Sequence, residues 1–115
     1  MDRLEAEIRA QRMTVFARVD HAGGAAVVGL KLAPTELIIF GNASGGTPLM
    51  QASQTTGIDL PLKALVWEDA AGKTWLSYNE PSWIARRHGV RNAEQVVSKM
   101  GAMLSAMARK VANSN

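Results

Sequence analysis

Leu62-Lys63-Ala64-Leu65-Val66-Trp67-Glu68-Asp69 and Lys73-Thr74-Trp75-Leu76-Ser77-Tyr78-Asn79, joined by Ala70-Ala71-Gly72, decide the fold. Two runs rich in apolar and aromatic residues flank a short turn ending in glycine, which is the pattern of a β-hairpin. Pro61 stands at the entry to the first run, where a missing N–H is tolerated. A three-residue loop pairs Asp69 with Lys73, Trp67 with Trp75, Leu65 with Ser77, and Lys63 with Asn79. Residues directly opposite share a face. One face therefore carries Lys63, Leu65, Trp67, Trp75, Ser77 and Asn79. The other carries Leu62, Ala64, Val66, Leu76 and Tyr78, and it suits a core.

Upstream, Leu37-Ile38-Ile39-Phe40 is an apolar run long enough for a buried strand and short for a helix. The glycine-containing loop 41–46 follows. Thr47 is expected to cap a short helix with Pro48 at its first position. Residues 13–20 alternate, with Met13, Val15, Ala17 and Val19 on one side and Thr14, Phe16, Arg18 and Asp20 on the other. Gly23-Gly24 breaks this pattern, and residues 25–33 read equally as a helical turn or extended chain. Asp2 and Glu5 resemble a capping box opening a helix to about Arg12.

Downstream, Pro81 opens a short helix carrying Trp83 and Ile84, which Gly89 ends after His88. Asn92 and Gln95 resemble a second capping box. Ala93, Val96, Val97, Met100, Leu104, Met107 and Val111 then recur at helical spacing, a face that belongs on a core. The order is helix, strand, strand, hairpin, helix, helix. An α+β, two-layer sandwich accommodates it, with a largely antiparallel sheet and the helices on one face. Residues 1–115 read as a single domain, without internal repeat or linker.

Four phrases keep a fixed wording and order: Val15-Phe16-Ala17-Arg18-Val19-Asp20-His21, Phe40-Gly41-Asn42 with Gly45-Gly46-Thr47-Pro48-Leu49-Met50, the stretch from Asp59 to Asp69, and Ser77-Tyr78-Asn79-Glu80-Pro81. Through them nearly the whole chain resembles the bacterial domain-of-unknown-function family numbered 302. The resemblance implies a two-layer α/β fold and names no reaction. The family usually has a strand ahead of the first helix. This chain begins at the helix, so that strand is expected either to be absent or to belong to a longer natural start.

A chain of 115 residues, nearly half hydrophobic, can bury a real core. It has no cysteine, hence no disulfide framework, thiolate nucleophile or zinc–thiolate site, and this fits a cytoplasmic location. No signal-peptide run opens the sequence, and no stretch nears the roughly 20 apolar residues of a membrane span. The net charge is +3, but the basic residues are scattered, with Arg86, Arg87, His88 and Arg91 the densest group.

Candidate chemistry is sparse. The loop Gly41-Asn42-Ala43-Ser44-Gly45-Gly46-Thr47 runs from a strand into a helix N-terminus, which favours an anion, yet it lacks the Gly-Lys-Ser/Thr ending of a nucleotide loop. The plainer reading is a tight turn with Thr47 as cap. The candidate ligand contacts are Asn42, Thr47, Lys63, Asn79 and His21. Thr47 would donate, Lys63 supply charge, and Asn42 and Asn79 orient polar atoms. Trp67, Trp75 and Leu65 lie on the face without helices and form the candidate interface of a homodimer.

Two histidines without ligand spacing give no metal site, and nothing calls for a cofactor. His88 reads as a charge complementing a helix C-terminus. The expected protein is therefore a cytoplasmic homodimeric domain that holds a small anionic or polar ligand. The alternative is a small enzyme with His21 as general base and Lys63 as electrostatic stabiliser. A third class, nucleic-acid binding, requires Arg86, Arg87 and Arg91 to join Arg9, Arg12 and Arg18 in one surface.

Overall fold

The computed structural model describes residues 1–113. Its elements are α1 (Asp2–Ala10), β1 (Thr14–Asp20), α2 (His21–Val27), β2 (Thr35–Gly41) and α3 (Ala43–Ala52), then a 3-10 turn (Gln54–Ile58), β3 (Leu62–Glu68), β4 (Thr74–Tyr78), α4 (Pro81–Arg87) and α5 (Glu94–Asn113). The four strands form one antiparallel sheet in the order β1-β2-β3-β4. Leu4 and Ile8 of α1 and Leu104 and Met107 of α5 close over Ile38, Phe40, Leu62 and Ala64 of the sheet. This is the two-layer α+β sandwich expected from the periodicities, since an amphipathic helix and a sheet face each bury their apolar side against the other.

The hairpin register agrees with the three-residue loop, pairing Trp67 with Trp75 and Leu65 with Ser77. Asp69 N–H donates to the Lys73 carbonyl at 2.8 Å. Leu62 and Ala64 are buried, and Val66, Leu76 and Tyr78 pack against the core. The opposite row, Thr35, Trp67 and Trp75, stands on the other face.

β1 departs from simple alternation. Val15 pairs with Phe40 but Ala17 pairs with Ile39, so Phe16 is the extra residue of a β-bulge. One extra residue exchanges the faces beyond it. Met13 and Val15 face the core, whereas Ala17 and Val19, expected on the same side as they are, cross to the open face. Arg18 crosses the other way, opposite Ile38, and reaches the helix layer. Its guanidinium grips Glu36 through two 2.8 Å bonds and donates to Asp2 and Glu5 of α1.

The helix starts also differ from the sequence reading. Met1, not Asp2, is the N-cap of α1, because the Asp2 carboxylate is taken by Arg18. Asn42, not Thr47, caps α3, and Pro48 sits inside that helix. At α5 the Ala93 carbonyl accepts the first turn's bond from Val97, leaving Asn92 outside at φ 60°. Gly23-Gly24 does not break the chain; it lies within α2, which Asp20 caps by accepting from Gly23 N–H at 2.9 Å.

Candidate functional site

The strand β2 delivers the chain to α3 through Gly41-Asn42. The Asn42 side-chain oxygen accepts from Gly45 N–H at 2.7 Å and from Ser44 Oγ at 2.9 Å, which fixes the start of α3. Between this turn, the β1 bulge, the 60–62 entry to β3 and α5 lies a cleft of about 280 Å³. Its walls are mostly apolar: Met13, Phe16, Met50, Leu60, Met100 and Met103. Asn42 and Thr47 supply polar side chains at its border. Four methionines make an adaptable lining, because an unbranched thioether can follow the shape of whatever enters. An anion finds little here, since Asn42 has already taken the Gly45 N–H and its carbonyl the Gly46 N–H.

Of the five ligand candidates, only Asn42 and Thr47 line this cleft. Lys63 pairs with Ile39 on the helix-free face, and its ammonium donates to the carbonyl of Pro61 at 3.1 Å, with Asp59 O at 3.4 Å. Asn79 follows the end of β4 and is exposed. His21 is the first residue of α2, beyond the Asp20–Glu36 pair and thus at the opposite end of the β1–β2 ladder from Asn42. Lys63 stands opposite Ile39, about 10 Å along β2 from the Glu36 that pairs with Asp20, and β2 lies between its strand and β1, so the fold does not bring His21 and Lys63 side by side as base and stabiliser.

A different constellation is formed instead. His88, at the end of α4, points its Nε2 at Asp59 Oδ2 (2.5 Å) and its Nδ1 at Thr55 Oγ1 (3.0 Å). Arg87 Nη1 donates to both Asp59 oxygens at 3.0 Å, and Ser53 Oγ donates to the His88 carbonyl at 2.8 Å. The His88 side chain is 8% exposed and that of Asp59 14%. The hydrogen bond from His88 holds the Asp59 carboxyl below its ordinary range, and the Arg87 charge acts the same way against desolvation. Since an ionised carboxylate only accepts, His88 Nε2 carries a proton. Nδ1 can then accept from Thr55 when the ring is neutral or donate to it when charged. These bonds clamp the 3-10 turn to the end of α4. Sequence reading gave His88 only a helix-end role, because Asp59 and Thr55 lie 29 and 33 residues away.

On the helix-free face Trp67 and Trp75 stack at 6.3 Å between ring centroids and 23° between planes. Trp67 Nε1 donates to Ser77 Oγ, and Trp75 Nε1 to Asp69 Oδ2. The latter bond leads the causes that keep the Asp69 carboxyl below its ordinary range, with the turn amides of Lys73 and Ala71 adding to it. Lys73 lies 4.3 Å from the Trp75 ring centroid. With both indole N–H groups satisfied, Trp75 still leaves 43% of its surface open.

Arg9, Arg18 and Arg87 are each paired to carboxylates, so the six arginines named above do not present bare charge together. Among the described residues, no three His, Cys, Asp or Glu side chains gather as a metal would require. No helix there is long and apolar enough to cross a membrane.

Comparison with known proteins places this geometry. Residues 1–107 match the family described as "Domain of unknown function DUF302". The crystal structure of an uncharacterized conserved DUF302 protein from Bacillus stearothermophilus superposes with a TM-score of 0.85 at 16% identity, covering 96% of this chain and 86% of that one. Two curated relatives are named fluoride-specific ion channel FluC 1. The protein from Brucella suis biovar 1 (strain 1330) is 50% identical over 99 residues, which is 86% of this chain and 39% of the relative. The one from Brucella abortus biovar 1 (strain 9-941) is equally identical over 37% of its length. The chain thus spans less than two fifths of these curated relatives.

Proposed function

The chain belongs to the DUF302 family, and from that premise we propose that it is a small-molecule-binding domain that works as a cytoplasmic homodimer. The observation that carries the reading is the methionine-lined cleft beside the β2–α3 turn. Pockets of this kind gain affinity from apolar walls and orientation from a few polar groups. The ligand is accordingly small and mostly apolar, with one polar end directed at Asn42 and Thr47. The homodimer is supported by the exposed ring of Trp75, with half-buried Trp67 and Leu65 beside it, on a sheet face that α1 and α5 leave uncovered. The cytoplasmic placement rests on the cysteine-free sequence.

Native mass spectrometry of freshly purified protein is the direct test, followed by denaturing analysis of anything released. A dimer that carries a reproducible small molecule, lost when Met103→Trp fills the cleft, supports the reading. A protein that neither copurifies with a ligand nor binds an apolar fluorescent dye in a Met103-sensitive manner removes it.

The relatives named as fluoride-specific channels favour a second reading. In them a stretch like this one occupies 37–39% of the chain, so this domain would accompany channel function rather than form a pore. Deleting the domain in cells challenged with fluoride checks this; unchanged growth sinks it.

A further inference from the structure

Three side chains of the clamp on His88 stand in the order hydroxyl, imidazole, carboxylate. Thr55 Oγ1 lies 3.0 Å from His88 Nδ1, and His88 Nε2 lies 2.5 Å from Asp59 Oδ2. Exposure changes along this row. The ring is 8% exposed and the carboxylate 14%, while Thr55 is open to solvent. The row thus has a buried end that is held and an open end that a reagent can reach.

Each member is set for a separate task. Arg87 Nη1 bonds both Asp59 oxygens at 3.0 Å and, with His88, keeps that carboxyl ionised. An ionised carboxylate only accepts, so it holds the single proton of a neutral ring on Nε2. Nδ1 is then the basic nitrogen, and it faces the Thr55 hydroxyl. Ser53 Oγ stands 3.4 Å from Thr55 Oγ1 but gives its own proton to the His88 carbonyl at 2.8 Å. The Thr55 oxygen therefore keeps a lone pair for attack while its proton points at the ring. These are the roles of a nucleophile, its base and the group that orients the base, with the two ring nitrogens exchanged relative to the serine triads. Such a set is defined by geometry and roles, and the spacing of Thr55, Asp59 and His88 along the chain follows no motif.

We propose that Thr55 is a nucleophilic site that accepts an acyl group from small activated esters, with His88 as general base and Asp59 as the residue that positions it. The walls of the methionine-lined cleft include none of the three, so this site is independent of the ligand and the dimer proposed above. Thr55 Oγ1 attacks the ester carbonyl carbon, and its proton passes to His88 Nδ1. The carbon keeps the new bond to Oγ1 and loses the bond to the leaving oxygen, which departs with the electron pair. The charged ring then gives its proton to that oxygen. An aryl ester is the fitting donor, because a phenoxide leaves without prior protonation. A site open to water at the nucleophile offers little to drive out an alkoxide.

The probe is p-nitrophenyl acetate, with the acetylated positions located by peptide mass mapping after timed exposure of the full chain. The wild type is expected to carry an acetyl group on Thr55 ahead of its other hydroxyl side chains. Thr55→Val, tolerated at an exposed position, loses that label, and Thr55→Ser keeps it. His88→Gln, its fold checked by circular dichroism, lowers the rate at position 55 about a hundredfold. Should that variant fail to fold, the pH profile of the wild type decides. With His88 as base, the rate climbs with pH and levels off once the ring is neutral. The charges facing the ring are Asp59 and Arg87, with Lys63 acting on Asp59. An unassisted hydroxyl climbs in proportion to hydroxide throughout, and that profile overturns the proposal. Acetylation confined to lysines and the N-terminus overturns it too, as does a Thr55 label that a folded His88→Gln leaves unchanged. The row would then be a structural clamp alone.

Discussion

Asp59 joins β3's entry to the end of α4 by accepting from His88 and Arg87 at once. Hydrogen bonds to charged groups contribute about 1.5–3 kcal/mol each, and an amide at position 59 keeps one acceptor oxygen but loses the charge and turns the second acceptor into a donor facing Arg87 or His88. Asp59→Asn should therefore lower unfolding stability at neutral pH by about 1.5–3 kcal/mol in urea titrations. The sign with pH follows from the lowered carboxyl. Its stabilisation is fully present above the unfolded value near about pH 4 and is lost as pH falls through the folded value. The gap between wild type and Asp59→Asn should hold at neutral pH and close at strongly acidic pH. A gap that persists unchanged in acid would show that shape, not charge, sets the effect. Thr55 is exposed, so Thr55→Val should cost under about 1 kcal/mol.

Elements were legible in proportion to how local their causes are. The hairpin register follows from its own turn and needed nothing distant. The β1 faces did not, because Phe16 bulges only against its partner Phe40-Ile39 in another strand. Thr47 and Asn42 were both chemically suitable caps, and it is the exit from β2 at Gly41 that selects Asn42. Similarly, the clamp on His88 assembles from residues that only the tertiary fold brings together. The two glycines of α2 behave differently when alanine is added. A Cβ on Gly24 meets nothing within 4 Å, whereas one on Gly23 comes 2.6 Å from the capping Asp20 carboxylate. Gly24→Ala should raise stability by about 0.5–1 kcal/mol and Gly23→Ala should lower it, both read by thermal melts. At Gly89, φ 63° ends α4, with Val90 N–H closing on the Ala85 carbonyl. Gly89→Ala should cost about 1 kcal/mol there despite open space around it.

At the scale of the molecule, the fold leaves one sheet face without helices, and the sequence had put two tryptophans on it. What could not be read from the sequence was that both indoles satisfy their N–H groups within the chain, through Ser77 and Asp69. The remaining exposure is ring carbon, which gains only from being covered. Trp75 is 43% open, on the order of 100 Å² of apolar surface per copy. At about 25 cal/mol per Å², covering it on both copies is worth roughly 5 kcal/mol before the losses of association. Trp75→Ser should therefore weaken a homodimer built on this face at least a hundredfold by sedimentation equilibrium. The variant should keep its far-ultraviolet circular dichroism, because the Trp75 side chain is outside the core that Phe40, Ile38, Leu4 and Ile8 fill. An unchanged dissociation constant with an intact fold would move the interface off the sheet. The indole pair would then stand as a structural stack that fixes the hairpin through Asp69.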